Sequence, residues 1–228
     1  MAESTYVLVP GAGGQAAAYW HLVRRELGER GLASVAVELP GDDPGKGLPD
    51  YVDLIVAAAA DLDDVVVVAQ SIGGFSGSWA ADRLPASRIV LLNAMIPLPG
   101  ETAGEWWGAT GSAEARRDHD IREGRDPDAN FDLETYFLHD IPADTIAALG
   151  DEEHGEADAV FAAPWGLDAW PDIPTTVLAG RSDRFFPYAF QQRVARERLG
   201  IGVTEIPGGH LAALSQPVAV AEAIVSAT

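Results

Sequence analysis

Residues 65–68 are four consecutive valines, and residues 69–74 read Ala-Gln-Ser-Ile-Gly-Gly. A β-branched run with no polar alternation predicts a strand buried on both faces, as in the middle of a parallel sheet. A strand that turns abruptly into a helix needs small residues on either side of the turn. Ala69 and Gly73 stand two residues before and two after Ser71, and meet that need. Few folds other than a layered α/β sheet can use such a segment.

The rest of the chain repeats the alternation. Short apolar runs at 6–9, 34–39, 88–92, 175–178 and 203–206 read as strands. Amphipathic stretches at 15–30, 51–60, 73–84, 188–199 and 218–225 read as helices. Strand–helix repetition implies a mainly parallel sheet with helices on both faces. Residues from about 97 to 174 break the rhythm. They are polar, acidic and helix-prone, and too long for an ordinary connection. We expect one domain over 1–228, with 97–174 inserted as a helical cap. Trp106, Trp107 and Trp165 in the insertion are candidates for the roof of an apolar substrate pocket.

Composition narrows the chemistry. The 228 residues include no cysteine, so thiolate catalysis, disulfides and cysteine-bound metals are excluded. The net charge is -20, from 35 acidic and 15 basic residues, which repels nucleic-acid phosphates and anionic lipid headgroups. No apolar run reaches the roughly 18 residues of a membrane-spanning helix. Met1 to Tyr6 lack the basic and apolar parts of a secretory signal, so cytoplasmic location is the expectation.

Any side-chain nucleophile must therefore be an oxygen or a nitrogen. Ser71, on a tight turn at a helix N-terminus, lies where amide N–H groups favour negative charge. Of the histidines, His21, His119, His139 and His154 fall in expected helices or in the insertion. His210 instead follows Pro207-Gly208-Gly209, just beyond the last strand. Asp183 follows the strand at 175–178, whereas its rival Asp172 precedes it and faces the opposite sheet edge. Three strand ends thus carry serine, acid and histidine, in the chain order of a Ser-Asp-His hydrolase. The glycine-rich turn at 10–14 offers the Ala12 N–H, which can join the Ile72 N–H as an oxyanion donor. That turn also fits a dinucleotide fingerprint, Gly11-Ala12-Gly13-Gly14-Gln15-Ala16, with Glu38 near the place of a ribose-binding acid. A lone fingerprint is weak, and it leaves Ser71, Asp183 and His210 without a shared role.

With these residues in place, the chain resembles the α/β-hydrolase superfamily, and more narrowly its small methylesterase and hydroxynitrile-lyase branch. The resemblance rests on residues 7–14 with Trp20, on Gln70-Ser71-Ile72-Gly73-Gly74, and on residues 210–217. It implies a six-stranded core, a helical cap, no cofactor or metal, and small to medium ester substrates. Carried over by motif position, Ser71, Asp183 and His210 form the triad, and Ala12 and Ile72 supply the oxyanion hole. We expect a monomer or homodimer acting on a small-molecule ester, with no nucleic-acid or membrane partner. The chain departs from the branch at Pro10, where histidine is usual, and at Gly209, where an acid often stands. Leu211 occupies the place of the lyases' functional lysine, which counts against cyanohydrin cleavage. A lyase on the same triad, a dinucleotide-dependent enzyme and a non-catalytic binding protein remain as alternatives.

Overall fold

The computed structural model describes residues 4–149 and 155–227; His154 lies outside them. Six strands form one fully parallel sheet in the order β2-β1-β3-β4-β5-β6. They are β1 (Thr5–Val9), β2 (Ser34–Ala36), β3 (Val65–Gln70), β4 (Ala86–Leu92), β5 (Thr175–Gly180) and β6 (Thr204–Ile206). The valine run is the heart of β3, and all six residues of that strand are buried.

The pleat sorts the strands' side chains into two cores. Val7, Val9, Val65, Val67, Ile89, Leu91 and Val177 face one side. There they pack against α2 (Leu48–Ala58), α3 (Gly73–Ala81) and α8 (Tyr188–Leu199). Tyr6, Leu8, Val66, Val68, Val90, Leu92 and Leu178 face the other side. They meet α1 (Ala16–Glu29), α9 (Ala212–Ser215) and α10 (Pro217–Ser226). Burying both faces is what the uninterrupted valines require.

The second strand is shorter than the 34–39 expected from the sequence. Val37 still donates to Leu8 O at 3.0 Å, but the Leu39 N–H leaves the ladder for Gly14 O, also at 3.0 Å. Gly14 has φ 70°, and a Cβ on it would sit 2.1 Å from Leu39 O. The chain after β2 is therefore clasped to the glycine-rich turn after β1.

Between β4 and β5 the chain forms α4 (Ala103–Thr110), α5 (Ser112–Arg122), a π-helical turn (Glu134–Leu138), α6 (Ala143–Leu149) and α7 (Asp158–Ala162). Among the described residues of this segment no strand forms, only a single bridge between Thr102 and Pro164. A buried two-point pair fastens it to α8: both terminal guanidinium nitrogens of Arg198 reach the Glu101 carboxylate, Nη2 to Oε1 at 2.8 Å. Trp106 and Trp165 are buried in the core beneath, and the Trp106 indole donates to Ile96 O at 3.1 Å. No described helix is long and apolar enough to cross a membrane.

The strand order reverses direction at β1, which has β2 on one side and β3 on the other. In open parallel sheets a crevice forms at such a switch point, outside the strands' C-terminal ends. The turn after β1 and the turn carrying Ser71 flank this crevice.

Candidate active site

Ser71 connects β3 to α3 and has φ 51°, in the left-handed region that a residue with a Cβ enters only at a cost. The turn closes through Gly74 N–H to Ser71 O at 3.0 Å and Met95 N–H to the same oxygen at 2.9 Å. Its glycines are sterically required. A Cβ on Gly73 would lie 2.3 Å from Pro10 O, and one on Gly74 would lie 2.0 Å from Met95 O. Ala69 packs against Gly77, on which a Cβ would meet the alanine methyl at 2.8 Å. The serine is thereby lifted, half-buried, above the sheet edge.

The structure brings Ser71, His210 and Asp183 together. His210 Nε2 lies 3.1 Å from Ser71 Oγ, and His210 Nδ1 lies 2.9 Å from Asp183 Oδ2. Asp183 accepts only, so Nδ1 carries the proton and Nε2 presents its lone pair to the serine hydroxyl. Asp183 is fully buried, and its other oxygen accepts the Phe185 and Phe186 N–H groups at 2.9 and 2.8 Å. The edges and faces of Phe137, Phe185 and Phe186 surround the imidazole, each with its ring centroid 5.0 Å away. These rings hold water off the histidine and fix its plane.

Behind the pair stands a residue the sequence did not single out. Asn93, fully buried at the end of β4, has φ 46°. Its amide donates to Gly209 O at 2.9 Å and His210 O at 3.1 Å. Its carbonyl accepts Gly180 N–H at 2.7 Å and Gln191 Nε2 at 3.2 Å. Gln191 Nε2 also lies 3.2 Å from Asp183 Oδ2. One asparagine thus joins the acid-bearing loop after β5 to the histidine-bearing loop after β6. Asparagine tolerates the left-handed region better than most residues, the one local hint in the sequence.

The β4–β5 segment presses on the histidine loop from outside. Asp140 Oδ2 accepts the Gly209 N–H at 2.6 Å, and His139 Nε2 donates to Ser182 O at 3.1 Å. Burial pulls the His139 imidazole below its usual range. A Cβ at Gly209 would sit 2.9 Å from both Asp140 Oδ1 and His139 Cε1. The glycine at 209, a departure in sequence, is the space these two side chains occupy.

The oxyanion candidates lie across the crevice. Among the described residues neither the Ala12 nor the Ile72 N–H has a protein acceptor, although both flank Ser71's turn. Of the candidate pocket tryptophans, Trp106 and Trp165 are consumed by packing, and Trp165 stacks on Trp170 at 5.8 Å. Trp107 comes nearer, 5.7 Å from Phe185, which itself touches His210. Glu38 does not face a ribose site. It accepts the Ala16 and Ala17 N–H groups at 3.0 and 2.6 Å, placing a carboxylate where a pyrophosphate would need to sit. No group of three or more His, Asp or Glu among the described residues is arranged to hold a metal.

The comparisons agree with this architecture. A crystal structure of a pyrethroid hydrolase from Sphingobium faniae JZ-2 superposes with a TM-score of 0.75 at 22% identity, covering 98% of this chain and 96% of that one. A methylesterase from Arabidopsis gives 0.76 at 18% identity, over 98% of each chain. Polyneuridine aldehyde esterase gives 0.75 at 19% identity, also over 98% of each. No curated protein sequence matches significantly. The profile of the alpha/beta hydrolase family matches residues 6–223, and the chain belongs to that family.

Proposed function

We propose that this protein is a serine carboxylesterase of the methylesterase-like branch, acting on small to medium esters without a cofactor. The observation that carries the reading is the His210 ring, held 3.1 Å from Ser71 Oγ on one side and 2.9 Å from Asp183 on the other. A serine hydroxyl is a weak nucleophile until a base takes its proton. His210 Nε2 takes that proton as Ser71 Oγ attacks the ester carbonyl. Asp183 keeps the ring in the right tautomer and stabilises the imidazolium. The Ala12 and Ile72 N–H groups receive the tetrahedral oxyanion. His210 then protonates the departing alkoxide, and the alcohol leaves. Water, activated by the same nitrogen, attacks the acyl-serine, and its collapse releases the acid and restores the hydroxyl.

Two further facts favour this reading. The solved structures of similar fold include two named esterases and a pyrethroid hydrolase. The competing phosphate site at the start of α1 is filled by the Glu38 carboxylate. The test is hydrolysis of p-nitrophenyl acetate and butyrate by wild type and by Ser71→Ala. The variant should lose at least about a thousandfold in kcat/KM. Equal rates in the two proteins would falsify the proposal.

A further inference from the structure

The turn after β1 has no polar side chain of its own. Residues 10–14 are Pro-Gly-Ala-Gly-Gly, and Gly13 and Gly14 hold φ of 87° and 70°. Glycine passes easily between conformations, and the turn's own bond, Gly14 N–H to Gly11 O, is long at 3.3 Å, so contacts from outside add to its hold. On one flank Leu39 N–H is bound to Gly14 O. On the other stands Glu156, from the chain just ahead of α7 and 143 positions away from Gly13. Its Oε2 accepts the Gly13 N–H at 2.9 Å, and its Oε1 accepts the Tyr51 hydroxyl from α2. The next residue, Ala157, donates its N–H to Gly41 O at 2.9 Å, which fixes the approach of the carboxylate.

Burying this carboxyl group works against its ionised form. Burial raises the Glu156 carboxyl above its ordinary range, more than the Tyr51 and Gly13 hydrogen bonds lower it. A residue needed only to fill the space would not need to be ionisable.

We propose that Glu156 is a positioning residue for the oxyanion hole. By holding the Gly13 N–H it fixes the Ala12–Gly13 peptide plane, the plane next to the Ala12 N–H that meets the oxyanion. The inference rests on the esterase reading above. It makes anion stabilisation depend on a residue of the β4–β5 segment, remote in sequence from both donors.

Three substitutions separate the hydrogen bond from the charge. Glu156→Ala removes the acceptor. Glu156→Asp keeps the charge but withdraws it by one carbon–carbon bond, about 1.5 Å. Glu156→Gln loses the charge but keeps a carbonyl for Gly13, while its amide can face Tyr51 Oη. Losing an oxyanion donor outright costs about 100- to 1,000-fold, so misaiming one should cost less. We expect Ala and Asp to lower kcat by about 10- to 100-fold with KM within about threefold, and Gln to stay within about threefold of wild type. Exchange of the Gly13 amide, read by NMR, should quicken at least about tenfold in Ala and Asp only.

Wild-type rates in Asp, or a Gln variant as slow as Ala, overturn the proposal. So does a change confined to KM, which marks a substrate contact instead. Should the alanine chain fail to fold, the Asp and Gln pair decides by itself. Should wild type cleave no ester, the functional reading fails separately, and Gly13 exchange unchanged in the variants still sinks the tether.

Discussion

The two halves of the candidate site are held in opposite ways. The acid–base half, Asp183 and His210, is locked by the buried amides of Asn93 and Gln191, which belong to the sheet's end and to α8. Of the oxyanion candidates, Ile72 shares the turn of Ser71, while Ala12 lies on a glycine-rich turn steadied by Leu39 on one side and the Glu156 carboxylate on the other. On the proposed reading, proton-transfer geometry rests chiefly on these buried groups, with Asp140 and His139 adding an outer clasp. On the same reading, the Ala12 side of the anion site rests on Glu156 of the β4–β5 segment. A change in the first half should appear in stability and activity together, whereas a change in the second should appear in activity with little loss of stability.

The largest expected effect tests the core half. Asn93→Ala strands the Gly180 N–H and the Gly209 carbonyl, and leaves His210 O only the longer bond from Gln70 Nε2 at 3.4 Å. Each buried polar group left unpaired costs about 1–3 kcal/mol, so we expect a loss of about 3 kcal/mol or more in urea unfolding, with turnover falling in parallel. A wild-type midpoint in this variant would break the comparison at its root. Next in size is Gly209→Ala. Its new methyl must push back Asp140 and His139, and we expect about 1–2 kcal/mol lost. Because Asp140 is on the outer segment, kcat should drop less than in Asn93→Ala; an equal drop would mean that the outer clasp matters as much as the buried hub.

The smallest effect sharpens the other side. Glu156 has its folded carboxyl raised by burial, so the folded state binds that proton more readily than the unfolded chain. Its favourable contribution is complete below the unfolded value, about 4.3, and is lost as pH rises through the folded one. Glu156→Gln stays neutral throughout. It should melt about 2–4 °C above wild type at pH 8 and show no advantage at pH 4. A gap that widens toward acid would reverse the sign and remove the burial argument.

What was readable in advance follows the same division. The valines of β3, the small residues around Ser71, and the places of Asp183 and His210 just past strand ends are local signals, and local patterns carry them. Chain order alone sets all three candidate residues on one sheet edge. Gln191, Asp140 and Glu156 carry no such mark, and Asn93 only an asparagine's tolerance of the left-handed region. Their partners are 87 residues away for Asn93 and Gly180, and 143 for Gly13 and Glu156. Such pairings exist only once the sheet order has formed. The tryptophans misdirect for a related reason. Large aromatic side chains serve a core as readily as a pocket, and Trp106 and Trp165 went to the core. Phe137, Phe185 and Phe186 took the place beside the imidazole. Only the run at 185–186, close behind Asp183, offered any hint of it.

The φ of 51° at Ser71 has a consequence for laboratory evolution. A non-glycine residue held there costs about 1–2 kcal/mol that a glycine does not. Ser71→Gly relieves the backbone and, on the reading above, removes the nucleophile. A screen that rewards heat resistance alone therefore has an easy path to a sturdier protein with no chemistry, and selection for this fold's robustness must score turnover in the same round.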